Sequence, residues 1–232
     1  MWRSMFKVIA ATTAFAIVHS ALASHGAKRA ATKTFGERHR NGLYRVVFIT
    51  QSAVTFAVLA AYMRRQPSRE IYRVRPPVSL AMHGAQVTAL VYATAAARQV
   101  GIRRIVGLTS FVAWLGEGPV LPEPEAQGPA LDEQGLARHA GPFSWSRHPL
   151  NFAPLPILWL WPRMTTNLLA FNAAATVYLV IGSLHEESRL REVFGDKYIA
   201  YERSDVAFYL PSPDRNAADS MASVVNPQKL IK

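Results

Sequence analysis

Long uncharged runs alternate along this chain with short basic ones. Val8–Ala23 carries no formal charge apart from a possible one on His19, Val46–Met63 carries none, and Val78–Ala97 none apart from His83. Met164–Leu184 is uncharged for 21 residues. A membrane-crossing helix needs about 20 apolar residues, with about 17 as the lower limit. Three or four of these runs meet that length. Ile105–Leu115, with 11 residues, and Leu150–Pro162, which holds three prolines, are shorter. Lipid offers no partner to backbone N–H and C=O groups, so such runs are expected to satisfy them internally as helices. No ten-residue alternation of a barrel strand occurs. The pattern predicts an all-α fold: a polytopic integral-membrane helical bundle with five or six membrane segments.

Four regions follow. Residues 1–115 carry the first membrane helices. A Pro/Gly/acidic linker covers 116–140 and begins with GEGPVLPEPEAQGPALDEQG at 116–135. Residues 141–213 form a C-terminal hairpin region. The tail from 214 to 232 has no periodicity and is expected to be disordered. The N-terminus has two readings. Arg3 and Lys7, an apolar core and ALAS at 21–24 resemble a signal peptide with an A-x-A site. The later apolar segments favour an uncleaved first span.

Composition narrows the chemistry. The 232 residues include no Cys, which excludes disulfides, thiolate catalysis and Cys-ligated zinc. Net charge is +11, from 26 Lys and Arg against 15 Asp and Glu. Such a balance points to nucleic acid or anionic lipid. Here the basic residues lie between the apolar runs: Lys28, Arg29, Lys33, Arg38, Arg40 and Arg45, then Arg64, Arg65, Arg69, Arg73 and Arg75. They read as membrane flanks, with the lipid bilayer as partner and no nucleic acid. The two clusters fall on opposite sides, so charge does not set the orientation. Mean hydropathy is only +0.07, because the apolar runs and basic loops cancel.

The densest chemistry lies in GPFSWSRHPLNF, residues 141–152. Pro149 disfavours helix at His148 and suits the first turn of a helix that follows. Arg147 and His148 are therefore expected in an extended loop. Leu150–Pro162 is expected to form a bent or tilted helix, paired as a hairpin with Met164–Leu184. The hairpin would return His185, Glu186 and Glu187 to the side of Arg147 and His148. Helical spacing groups Glu186, Leu190, Val193 and Phe194 on one face and pairs Glu187 with Arg191 on another. Gly195 fits a helix stop. Acidic, imidazole and aromatic groups would converge at one membrane face, suited to a cationic, amino-acid-like ligand. Plainer readings stand beside this one. Arg147 could be an interfacial anchor, Glu187 and Arg191 a solvated pair, and Trp145, Trp159 and Trp161 belt residues. His19 and His83, inside spans, are functional candidates unless neighbouring helices satisfy them.

The ordered motif Gly–x(5)–Arg-His-Pro, a Glu-Glu pair, Phe-Gly–x(2)–Tyr–x(2)–Tyr and a closing Pro211 covers about 141–211. It resembles the isoprenylcysteine carboxyl methyltransferase superfamily of integral-membrane enzymes, which includes NnrU-like proteins. HSALASHGAKR at 19–29 and WPRMTTNLLAFNAAATVYLVIG at 161–182 are similar to methanethiol S-methyltransferase-like members. The resemblance implies a C-terminal cofactor-binding region for S-adenosyl-L-methionine. By motif position its contacts would include Leu136, Ala137, Arg138, Phe143, His148, Asn151 and Glu186, with a nearby tyrosine such as Tyr198 against the sulfonium. His148 and Arg147 are the candidate catalytic groups. Asn151 stands where the family usually has Tyr. Gly182 stands where isoprenylcysteine enzymes have a carboxylate-binding Arg, which argues against a prenylcysteine acceptor. The function implied is methyl transfer to a small or lipophilic acceptor, a thiol first, in a bacterial inner membrane. It requires no metal, and His148 or an in-membrane histidine could remove a thiol proton. Two other readings stay open: a haem- or quinone-binding electron-transfer protein using His19 and His83, and a non-catalytic family member.

Overall fold

The computed structural model describes residues 2–122, 128, 141–204 and 206–212. Most of the predicted linker, the tail from 214, and Leu136, Ala137 and Arg138 lie outside the described residues.

The apolar runs become helices and extend into their polar flanks. Helix α1 spans Trp2–Ala23 and α2 spans His25–Arg65. Ser24 between them is extended, and its Oγ accepts from the Ala27 N–H at 3.2 Å, an N-cap. The small residues that resemble a cleavage site thus form a helix junction. α2 breaks at Gly36, where φ is +80°, a conformation that glycine tolerates best. Strand β1, Glu70–Arg73, precedes α3, Val78–Val100. The short run Ile105–Leu115 divides at Gly107 (φ +76°) between α4, Ile102–Ile105, and α5, Leu108–Leu115.

After the linker come α6, Pro142–Trp145, α7, Pro149–Phe152, and α8, Pro154–Trp159. Strand β2, Arg163–Thr165, leads into the long α9, Thr166–Phe194, and α10, Asp196–Glu202, follows. The expected bent helix over Leu150–Pro162 is therefore two short pieces. Pro154 and Pro156 have no N–H to give the preceding turn, so the chain restarts instead of bending. Gly195 does end α9 as predicted, with φ +57° and its N–H on the Arg191 carbonyl.

Among the described residues, three helices, α1, α2 and α9, are long and apolar enough to cross a membrane. α3 has the length, 23 residues, but carries His83 and Gln86. α1 packs against α9 and α2, and α3 packs against α6, α7 and α8. Val8, Leu59, Ala170 and Phe171 form the buried seam of the first group. Outward-facing Ile17, Val54, Val58 and Val177 are exposed, as suits a lipid-facing surface.

A two-stranded antiparallel sheet, which the apolar pattern did not predict, ties β1 to β2. Glu70 faces Thr165 and Arg73 faces Arg163, with a bulge between Glu70 and Tyr72. Glu70 accepts from Arg163 Nε at 2.7 Å and from Arg73 Nη2 at 2.8 Å. Both guanidiniums hold its carboxyl below the ordinary range, Arg73 foremost. The α2–α3 turn is thereby pinned to the entry of α9.

α2 packs tightly against α5 at Gly42, where an added Cβ would lie 2.4 Å from Trp114 Cβ. Gly42→Ala is expected to cost about 1–3 kcal/mol of stability through overpacking. Gly84→Ala, where a Cβ meets nothing within 4 Å, serves as the control. Thermal unfolding in detergent reads both, and equal midpoints would count against this contact.

Candidate functional site

The loop between α6 and α7 takes the extended form predicted from Pro149. His148 has φ −123° and ψ 56°, and α7 begins at Pro149. The C-terminal segment 206–212 holds this loop in place. Arg147 N–H donates to the Ala207 carbonyl at 2.8 Å, and Ser146 and Ala207 form a parallel bridge. Ser146 Oγ donates to the Tyr209 carbonyl at 2.8 Å, and Tyr209 OH donates to the Asn151 carbonyl at 2.8 Å. Tyr201 OH donates to the Phe143 carbonyl at 2.6 Å. These are mostly contacts to backbone carbonyls, which leave no mark on side-chain pattern.

Beneath the loop lies a buried charged cluster. Arg147 Nε donates to Glu187 Oε1 at 2.8 Å, and its Nη1 donates to the carbonyls of Glu202 at 3.1 Å and Val206 at 3.3 Å. The two side chains are only 12% and 6% exposed. Phe208 covers the pair, with its ring centroid 5.5 Å from the Arg147 guanidinium carbon and 5.1 Å from the His148 ring. Tyr198 OH reaches Glu187 at 3.5 Å. Burial pushes the Tyr198 phenol far up, with the Glu187 carboxylate adding to the effect, so it stays a neutral donor. Arg191 donates to Glu202 through Nε and Nη2 and stands 3.6 Å from Glu187. That hydrogen bonding holds the Glu202 carboxyl below its ordinary value.

This corrects the helical phase read from the sequence. Ser183, Glu187 and Leu190 are the buried residues of this part of α9, whereas Val193 is 45% exposed. Glu187 is thus no solvated partner of Arg191. Its main partner is Arg147, forty positions away, and only the fold makes that pair visible.

Glu186 turns the other way. It lines a cavity of about 650 Å³ bounded by the end of α1, the facing part of α2, and α9. Asn151 Nδ2 donates to Glu186 Oε2 at 3.1 Å and to Ser183 Oγ at 3.0 Å. Asn151 also lines the cavity. His148 Nδ1 sits 3.5 Å from the same Glu186 oxygen. Its Nε2 is buried 3.3 Å from Glu187 Oε1, outside hydrogen-bond geometry, and has no hydrogen-bond partner. Tyr178, Gly182 and Glu186, one turn apart on α9, face the cavity, as do His19 and Phe48.

The fold therefore sets Asn151 and Glu186 on the cavity wall, with His148 buried directly behind Glu186. Arg147, Phe143 and Tyr198 lie behind it, in the clamp that holds the loop. The tail aromatics Phe208 and Tyr209 were not singled out from the sequence, although they stand inside the quoted motif. His19 and His83 do not form a pair. His19 packs with Phe15, Phe48 and Tyr178, and His83 with Gln86 and Trp161.

No family model matches the chain, and no solved structure does. Among curated proteins, the chain is 37% identical over 92 residues to methanethiol S-methyltransferase of Pseudomonas deceptionensis. That stretch is 40% of this chain and 35% of the relative. It is 34% identical over 61 residues to methanethiol S-methyltransferase 1 of Bradyrhizobium diazoefficiens, or 26% and 21% of the two chains. The matches thus span about a third or less of the relatives' own lengths. Together with the motif at 141–211, these two similarities support the chain's place in the methanethiol S-methyltransferase-like, isoprenylcysteine methyltransferase-like family.

Proposed function

We propose that this chain is an integral-membrane, S-adenosyl-L-methionine-dependent methyltransferase whose acceptor is a small or lipophilic molecule, a thiol in preference to a lipid head group. The observation that carries the reading is the Glu186 carboxylate, fixed by Asn151 and facing a cavity among helices suited to a bilayer. The names of the two relatives support methyl transfer, and their bacterial origin supports an inner-membrane location. α3 is taken as a further span beside α1, α2 and α9.

The donor set suits such a cofactor. The cavity volume of about 650 Å³ falls within the usual range of about 300–1,000 Å³ for small-molecule sites. A carboxylate with one oxygen held by Asn151 keeps the other for an ammonium group. Glu186 would bind the amino-acid end, Asn151 would set the carboxylate's orientation, and His148 would support it from below. Leu136, Ala137 and Arg138 remain contacts proposed by resemblance alone. When bound, the cofactor supplies an electrophilic methyl group on a cationic sulfonium. The protein's task is to align and enclose, which lowers the barrier without a covalent intermediate. Arg147, Phe143 and Tyr198 act through the loop they hold. Calorimetric titration of the detergent-solubilised protein with S-adenosyl-L-methionine, followed by methyl-label transfer to a thiol panel, tests the reading. Absence of both binding and transfer would refute it.

Gly182 gives this reading a steric test. It lines the cavity between Tyr178 and Glu186, and a Cβ there meets nothing within 4 Å. Gly182→Leu should fold normally and still bind the cofactor, because helix propensity improves and the new Cβ has open space to extend into the cavity. It should lower transfer to a bulky thiol relative to methanethiol by about tenfold, as the loss of space for one or two methylenes would do. An unchanged ratio would move the acceptor away from this face of α9.

A further inference from the structure

His19 stands on α1 inside the apolar span and lines the same cavity as Glu186. Its Nδ1 is 3.0 Å from Ser52 Oγ, and Ser52 Oγ is 2.7 Å from the Phe48 carbonyl one turn back on α2. A hydroxyl has one proton, and a carbonyl can only accept. The short contact to Phe48 therefore takes the serine proton. Ser52 Oγ is left to accept, and His19 Nδ1 must be the donor. Nε2 then carries a bare lone pair. No hydrogen-bond partner meets it among the described residues. The ring is held by Phe48 at 4.7 Å, Phe15 at 5.6 Å and Tyr178 edge-on at 6.2 Å. Fixing one nitrogen as a donor so that the other serves as a base is how neutral imidazole is prepared for proton transfer.

Among the described residues, the histidines nearest the site differ from this arrangement. His148 is 1% exposed at its side chain and its nitrogens face the carboxylates of Glu186 and Glu187. His25 and His185 also line the cavity, but His185 is exposed on α9 beside Glu186 and His25 lies beyond the Ser24 junction, outside the α1 span. Tyr178 and Glu186 are eight residues apart on α9, about 12 Å along its axis. His19, packed on Tyr178, and the carboxylate thus line one cavity about two helical turns apart.

We infer that His19 is the general base for the methyl acceptor, with Ser52 as the positioning residue that sets its tautomer and the part of the cavity beside Phe48 and Tyr178 as the seat of a neutral thiol. The inference rests on the methyltransferase reading above. In the step, the S–H proton passes to His19 Nε2 and the thiolate sulfur bonds to the methyl carbon. The bond from that carbon to the donor's sulfonium sulfur breaks, and its electron pair stays on the departing thioether. The proton on His19 is then released to water.

The test uses full-length protein in detergent, ethanethiol, and thiophenol, which is largely ionised at neutral pH. His19→Gln should slow single-turnover transfer to ethanethiol by about a hundredfold or more, and transfer to thiophenol by less than about tenfold, since a general base contributes about 10²–10⁴ only where a proton must be removed. Cofactor affinity, read by calorimetry, should not change. Nitrogen-15 NMR of labelled histidine should find His19 protonated at Nδ1 and bare at Nε2, and Ser52→Ala should abolish that single tautomer. Equal losses for both thiols, no loss for either, or a bare Nδ1 in the parent protein would overturn the assignment. A parent protein that neither binds the cofactor nor methylates either thiol would instead overturn the methyltransferase reading, and this proposal with it.

Discussion

Glu187→Gln is expected to destabilise the protein severely, by about 3–5 kcal/mol, the cost of removing one partner from a buried ion pair. The reason is the guanidinium left behind. Arg147 is 12% exposed, sits under Phe208 and has the Glu187 carboxylate as its anionic partner at 2.8 Å. A glutamine offers an oxygen but no charge, and Tyr198 loses its anionic acceptor in the same change. The damage should spread along the clamp. Arg147 also holds the carbonyls of Glu202 and Val206, so segment 206–212 should detach and expose the loop at His148. Thermal unfolding and limited proteolysis of the C-terminal segment measure both effects. A double change, Arg147→Met with Glu187→Leu, removes both charges and should recover part of the stability, because a packed apolar pair can replace a buried ionic one. An unfolding midpoint unmoved in Glu187→Gln would mean that the pair contributes little.

That expectation could not come from the sequence, and the reason is specific. Glu187 and Arg191 stand four apart on a helix, the spacing of an ordinary surface pair. Local spacing could not register Arg147, which reaches Glu187 only after the loop at 146–148 docks on residues 206–212. Uncharged runs were better guides. Val8–Ala23, Val46–Met63 and Val78–Ala97 lie in helices, and Met164–Leu184 does so from Thr166 onward, because length and apolarity are summed over many residues. The same rule failed at Leu150–Pro162, where prolines outweigh composition. The strands β1 and β2 were invisible for another reason. Glu70–Arg73 is exposed at every position, so it has no alternation to read, and its pairing depends on where α9 begins. At the site, motif order located the loop, Asn151 and the acidic pair. It did not locate the wall formed by α1 and α2, because Phe48 and Ser52 reach His19, and His19 reaches Tyr178 of α9, only in the packed bundle.

The neighbouring acid should behave in the opposite manner. Glu186→Gln is expected to leave the unfolding midpoint nearly unchanged and to weaken S-adenosyl-L-methionine binding by about tenfold to a hundredfold. The side chain is 21% exposed and bonds to Asn151, an amide that can bond a glutamine oxygen equally well. What the substitution removes is the charge offered to the cavity. A hydrogen bond to a charged group is worth about 1.5–3 kcal/mol, which sets the expected loss of affinity. The two substitutions at adjacent positions therefore separate stability from binding, because successive residues on a helix point about 100° apart. Glu187 faces the clamp and Glu186 faces the cavity. Dissociation constants by calorimetry and unfolding midpoints on the same preparations decide the matter. A Glu186→Gln protein that binds the cofactor as tightly as the parent would remove Glu186 from the site. Lost binding with an equally lowered midpoint would make its role structural.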